Sequence, residues 1–122
     1  MTIRQGEIWQ VSFFPKVGSE IAKLRPAIVV SSDVIGRLPL KTVVPITDYK
    51  QAYMHYPWMV RIAPDPLNRL RKVSAIDCFQ IKNFSDKRFI EKIGEIDAEL
   101  LMQVHETIVK TLDPLYRLQT FS

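Results

Sequence analysis

Cysteine is almost missing from this sequence. Cys78 is the only one in 122 residues, which excludes an internal disulfide and a cysteine-rich zinc site. A lone thiol of this kind is expected to serve as a small buried hydrophobe rather than as a nucleophile. Histidine is nearly as scarce. His55 and His105 stand far apart, so neither a His-x-x-His nor a His-Glu-x-x-His pair exists to seed a metal site. No metal and no other cofactor is expected. Long hydrophobic runs are also lacking. Ala27-Ile28-Val29-Val30 is typical of the apolar stretches, far short of the roughly 20 residues a membrane span needs. Residues 1–6 lack the apolar stretch of a signal peptide. The expectation is a cytoplasmic protein without membrane contact.

What is present suits one hydrophobic core and not two: 122 residues and 14.1 kDa, 47% hydrophobic and 25% charged. There is no internal repeat, low-complexity tract or linker, and the eight prolines punctuate turns. A single domain over 1–122 is expected, with its core at about 4–112 and a short tail over 113–122. The net charge of +4 is unevenly spread. The first 90 residues carry 14 Lys and Arg against seven Asp and Glu, and the last 32 carry three against six. A basic body with an acidic end suggests a polyanionic partner, although an asymmetry this small also suits a solvated surface.

Strand signals dominate as far as residue 82. Trp9, Val11 and Phe13 alternate onto one face of a strand over Glu7–Phe13. Ala27–Ser31 is apolar on both faces and therefore central. Pro45 within Thr42–Thr47 points to an edge or a bulge, because proline cannot donate to a ladder. Trp58–Ala63 and Val73–Ile81 read as the fourth and fifth strands. Ser85 can cap a single turn through Phe89, and Glu91–Ile96 is a last short strand. Asp97 can cap a helix to about Leu112, with Glu99 in its first turn, an apolar stripe of Leu100, Leu101, Val104, Ile108 and Leu112, and Pro114 as the stop. The stripe suits either core or dimer packing. The fold class is mainly β with α (α+β): a small SH3-like, partly open barrel of five to six strands with a C-terminal helix. Three connections are long for so small a barrel, Phe14–Leu24, Ser32–Lys41 and Asp48–Pro57, and long loops tend to carry function.

Four runs occur in order along the chain: Arg4-Gln5-Gly6-Glu7-Ile8-Trp9; Gly18-Ser19-Glu20 followed by Arg25-Pro26-Ala27-Ile28-Val29-Val30; Val43-Val44-Pro45-Ile46-Thr47; and Gln80-Ile81 followed by a polar turn and Ile93-Gly94-Glu95-Ile96. Each alone is common. Together, in this order and at this spacing, they resemble the MazF/PemK family. The resemblance implies a CcdB-like barrel and the toxin of a type II toxin–antitoxin system. It further implies a homodimeric, metal-independent endoribonuclease (an mRNA interferase) that cuts single-stranded RNA at short sequences. The implied partners are a MazE-like antitoxin and, only as the toxin–antitoxin complex, operator DNA. Two alternatives share the barrel: a non-enzymatic gyrase poison of the CcdB kind, and a passive nucleic-acid-binding module.

RNA cleavage without a metal can use the substrate's own 2′-hydroxyl, and the protein must then stabilise a phosphorane and move protons. Arg25, which stays charged and can grip two phosphate oxygens, suits the first task; on its own it reads as a surface salt bridge. Thr47 offers a hydroxyl donor, or is simply a good strand residue. The resemblance makes Arg25 and Thr47 the catalytic pair. Some members of the family have an acidic residue immediately before the glutamine that matches Gln80; here that position is Phe79, and an acidic side chain occurs two residues earlier, at Asp77. By strand alternation Asp77 shares a face with Ala75, Phe79 and Ile81, where it either pairs with Arg25 or acts as an acid/base, or else is exposed. Ser74 and Gln80 fall on the opposite face, and the glutamine amide can read a base edge. Ser19 and Glu20 match the family's groove-forming loop. Arg61, Arg69, Arg71 and Lys72 form the densest basic cluster, suited to phosphate tracking or to a solvated loop. Tyr49, Tyr53, His55 and Tyr56 suit stacking on unpaired bases, or, preferably, packing of their loop on the barrel. His105 is expected to be structural.

Overall fold

The computed structural model describes residues 2–15, 17–20, 23–35 and 38–115. Most of the expected tail, from residue 116, and positions 16, 21–22 and 36–37 within two of the long loops lie outside the described residues. Seven strands occur among the described residues: β1 (Glu7–Ser12), β2 (Leu24–Val29), β3 (Leu40–Asp48), β4 (Met59–Ile62), β5 (Ser74–Asp77), β6 (Lys82–Ser85) and β7 (Phe89–Glu95). One helix, α1 (Ala98–Leu112), follows them. The strands pair antiparallel in the order β4-β5-β3-β2-β1-β7, with β6 added beside β3.

β3 is the organising strand. Its first half, Leu40 to Val43, pairs with β6; its last residues, Ile46 to Asp48, pair with β5. Pro45 falls between the two partners and is fully buried. Of the two readings the proline suggested, an edge or a bulge, the edge is thereby excluded, since β3 has partners on both sides. The missing N–H coincides with the point where the strand changes partner, so no ladder bond is lost on that side.

β2 is central, between β1 and β3, as its two apolar faces imply. Ile28 and Val30 face one core with Ile8, Val44, Ile46 and Ile76, while Ala27 and Val29 face a second with Trp9, Val11, Val43 and Phe89. Each isoleucine taken fully out of water here contributes about 1.5–3 kcal/mol. α1 closes the first core with Val104 and the partly buried Leu100, Leu101 and Ile108. Asp97 caps it by accepting from the Leu100 N–H at 2.8 Å, and His105 Nε2 meets Val30 O at 2.9 Å, a structural tie to the end of β2. Leu112 and Met102 are exposed, so the apolar stripe ends at Ile108.

The expected fifth strand, Val73–Ile81, is two strands separated by a turn. The Asp77 carboxylate accepts from the Phe79 N–H at 3.2 Å and Gln80 N–H bonds Asp77 O at 3.3 Å, so the chain turns immediately after β5. β6 then pairs with the opposite end of β3. The alternation of Asp77 with Phe79 and Ile81 is thereby broken: Asp77 is buried, while Phe79 is 65% and Ile81 41% exposed.

Candidate active site

The β2–β3 register runs Ala27 to Pro45, Ile28 to Val44 and Val29 to Val43. Continued two positions further, it sets Arg25 across from Thr47, just where β3 has left β2 and joined β5. The two strands part there, and a groove of about 630 Å³ opens between them, with Arg25, Thr47, Asp48, Ser74 and Lys72 among the residues lining it. Arg69 and Arg71, from the loop between β4 and β5, line it as well, and Gln10, Glu91 and Lys92 complete its wall from β1 and β7.

The groove is basic. Five of its lining residues are Lys or Arg, against Asp48 and Glu91. Lys72 meets Asp48 at 2.9 Å in an exposed pair. The Lys72 hydrogen bond and charge, helped by the charge of Arg25, hold the Asp48 carboxyl below its usual range. Arg25 itself is half-buried, and its Nε is buried without a hydrogen-bond partner among the described residues. A buried donor left unsatisfied is costly. A guanidinium held with a donor in reserve, in a positive groove that Thr47 also lines, is suited to take the oxygens of a bound anion.

The sequence-expected residues divide into groups. Arg25, Thr47, Ser74, Arg69 and Arg71 share the groove. Ser19, Glu20 and Gln80 do not line it. Gln80 Nε2 donates to Ser19 O at 3.4 Å, and Glu20 forms an ion pair with Lys82 while accepting from the Val17 N–H at 3.1 Å. Those three residues fasten the first long loop to β6 and the turn before it. Arg61 lies over the Tyr49 ring at 5.7 Å. Tyr49, Tyr53, Tyr56, Trp58 and Phe79 form a continuous run of ring contacts, tightest between Tyr56 and Trp58 at 4.8 Å, so the tyrosine loop packs against its own rings and Trp58. His55 is exposed.

Asp77 makes neither expected contact. It does not pair with Arg25, and it does not line the groove; its carboxylate serves the turn after β5. Burial pushes that carboxyl up, against the lowering effect of the Phe79 and Gln80 N–H groups. The physical reason is the turn itself, which ends β5 at Asp77. Gln10, Asp48, Glu91 and Lys92 were missed as groove residues. Asp48 stands next to Thr47, but only the pairing of Gln10 with Glu91 across β1 and β7 reveals the other wall.

Among the described residues, no group of three or more His, Cys, Asp or Glu is placed to hold a metal ion, and no helix is long and apolar enough to cross a membrane.

Fold and site together define a small antiparallel β protein with a basic groove. The family model for PemK-like, MazF-like toxins of type II toxin–antitoxin systems matches residues 4–112, and the chain belongs to that family. Endoribonuclease MazF9 of Mycobacterium tuberculosis is 32% identical over 117 residues, covering 91% of this chain and 97% of that protein. Endoribonuclease EndoA of Bacillus subtilis is 25% identical over 108 residues, covering 88% and 92%. In fold, MazF of Deinococcus radiodurans superposes with a TM-score of 0.76 at 24% identity, over 93% of this chain and 99% of that one. A mycobacterial endoribonuclease solved with its cognate antitoxin superposes at 0.74 and 12% identity, over 94% and 99%.

Proposed function

We propose that this toxin is a sequence-specific endoribonuclease that cuts single-stranded RNA, chiefly messenger RNA, without a metal ion. The observation that carries the reading is the unpartnered, buried Nε of Arg25 in the same basic groove as Thr47. In the cleavage step the substrate's 2′-oxygen attacks the adjacent phosphorus and gives up its proton. The P–O5′ bond breaks, and the departing 5′-oxygen gains a proton. The products are a 2′,3′-cyclic phosphate and a 5′-hydroxyl. Arg25 holds the phosphorane oxygens through charge-assisted bonds, and Thr47 donates from the opposite strand. The groove presents guanidinium and ammonium groups where metal-dependent chemistry needs clustered carboxylates. Of the acidic groups, Asp48 and Glu91 stand on its wall and replace Asp77 as proton acceptors.

The chain works as one domain and as a homodimer in the cytoplasm. A MazE-like antitoxin neutralises it, and the pair together, not the toxin alone, binds operator DNA.

The test is to incubate the pure protein with a long mixed RNA in EDTA and map the new ends. Cleavage at a short recurring sequence is expected, with cyclic phosphates and 5′-hydroxyls, and a single 2′-deoxy residue at the cut should abolish it. Loss of cleavage in EDTA, or cutting of the deoxy substrate, overturns the mechanism. An Arg25→Ala variant that remains toxic in cells would point instead to a gyrase poison.

A further inference from the structure

The groove does not end at the reacting pair. A second cavity of about 390 Å³ adjoins it, with Pro66, Leu67, Gly94 and Glu95 among its lining residues. Arg69, Lys92 and Ile93 line both spaces. Of the two cations at this junction, Lys92 is engaged, 2.8 Å from Glu7 and 3.5 Å from Glu95. Arg69 has no carboxylate partner among the described residues.

Arg69 is also held on a built platform. Asn68 is only 1% exposed. Its Nδ2 donates to Ala63 O at 2.9 Å, and its Oδ1 accepts from the Asp65 and Leu70 N–H groups at 3.1 and 2.9 Å. Asp65 Oδ1 in turn accepts from the N–H groups of Leu67 and Asn68 at 2.9 and 2.7 Å. Arg69 sits in the left-handed region, at φ 57°, with its N–H on Asp65 O at 3.1 Å. The loop rests on β7, where the Glu95 N–H bonds Leu67 O at 3.1 Å. A Cβ on Gly94 would stand 2.5 Å from Asn68 O, so only glycine lets the two backbones meet there.

We propose that this loop, residues 63–73, forms a second nucleotide subsite of the RNA groove: the adjoining cavity takes the nucleotide that flanks the cut on one side, and Arg69 holds the phosphate between that nucleotide and the scissile one. The proposal rests on the ribonuclease reading. It adds the residue that grips the chain outside the reacting bond. Pro66 and Leu67 give the cavity apolar wall for a base, and the hydrogen-bonded loop fixes the backbone at Arg69 before RNA arrives, which reduces the ordering cost of binding.

The test uses a ladder of oligoribonucleotides around the mapped cut site, shortened one residue at a time from each end. Affinity is read on analogues carrying a 2′-deoxy residue at the cut, so that binding is measured whether or not the bond breaks. Wild-type affinity is expected to drop in one step, about tenfold, when the flanking nucleotide is removed from one end. The Arg69→Asn variant, which keeps a residue tolerant of the left-handed backbone, should bind the full ladder as weakly as wild type binds the shortened one and show no such step. Its salt dependence should be shallower by about 0.7, the slope for one phosphate contact with a single strand, and Arg69→Lys should restore the slope. Equal losses on every length, or an unchanged step in Arg69→Asn, overturn the subsite. A wild-type protein that binds the ladder with the step but cuts the 2′-deoxy analogues overturns the proposed cleavage mechanism alone.

Discussion

Glu7 on β1 and Lys92 on β7 meet at 2.8 Å, and the carboxylate that makes this pair also accepts from the Trp9 indole N–H at 3.1 Å and the Arg4 N–H at 2.7 Å. Burial pushes the Glu7 carboxyl up, but the Lys92 and backbone bonds, the indole and the Lys92 charge outweigh it and hold the group below its usual value of 4.5. The group is thus more acidic folded than unfolded. Its stabilising contribution is complete above about 4.5 and disappears as pH falls through the lower folded value. Glu7→Ala should cost about 2 kcal/mol at neutral pH, because it strands the indole and Arg4 donors. It should also remove part of the acid sensitivity seen in wild-type melting curves taken from neutral pH downwards.

Arg25→Ala should reduce cleavage by on the order of 10²–10³, as loss of a donor to a developing oxyanion does. Its melting temperature should change little, since the buried Nε has no hydrogen bond to lose among the described residues. Arg25→Lys should recover only part of the rate, because an ammonium cannot present the two-pronged donor set. Single-turnover rates beside thermal melts check both statements, and a variant that melts early and cuts normally would remove Arg25 from the chemistry.

Asp77→Asn should leave the cleavage rate and its pH profile unchanged. The asparagine oxygen can still accept from the Phe79 N–H, and the side chain lies outside the groove. Burial raises the Asp77 carboxyl, so the ionised form is disfavoured by folding and its cost grows as pH rises through the carboxylate range. Wild type should lose a little stability across that range and Asp77→Asn should not. Melts of both proteins over pH decide it, and a displaced pH–rate profile in the variant would return Asp77 to catalysis.

Cys78 is buried, and its thiol is pushed up to about 12 by burial and by the neighbouring Asp77 charge. Thiol reagents at neutral pH should label it only after denaturation. Cys78→Ala should cost about 1–2 kcal/mol, as a small cavity does, with kcat unchanged. Rapid labelling of the native protein would show that this part of the core opens.

Much of this was legible in the sequence where a signal is local. The Asp97 cap, the two-faced β2 and the alternation of β1 are properties of neighbouring residues, and the structure has all three. The break after Asp77 was not legible, because Ala75, Asp77, Phe79 and Ile81 keep the two-residue period straight through the turn; only the competition of the Asp77 side chain for the Phe79 N–H ends the strand. The approach of Arg25 to Thr47 depends on strand register, and the far wall, Gln10 with Glu91, depends on β1 pairing with a strand some eighty residues later. Such relations have no local pattern. Ser19 and Gln80 were expected to read RNA, yet the Gln80 amide is already turned to the Ser19 carbonyl, a contact between two loops that strand periodicity cannot reveal.

Asn68 and Gly94 carry the architecture of the loop between β4 and β5, while Arg69 and Arg71 hang from it without ion pairs among the described residues. Scaffold and grip are therefore separate inheritances. The basic side chains can be exchanged while the amide and the glycine stay fixed, so the charge along this wall can be altered without refolding the protein around it.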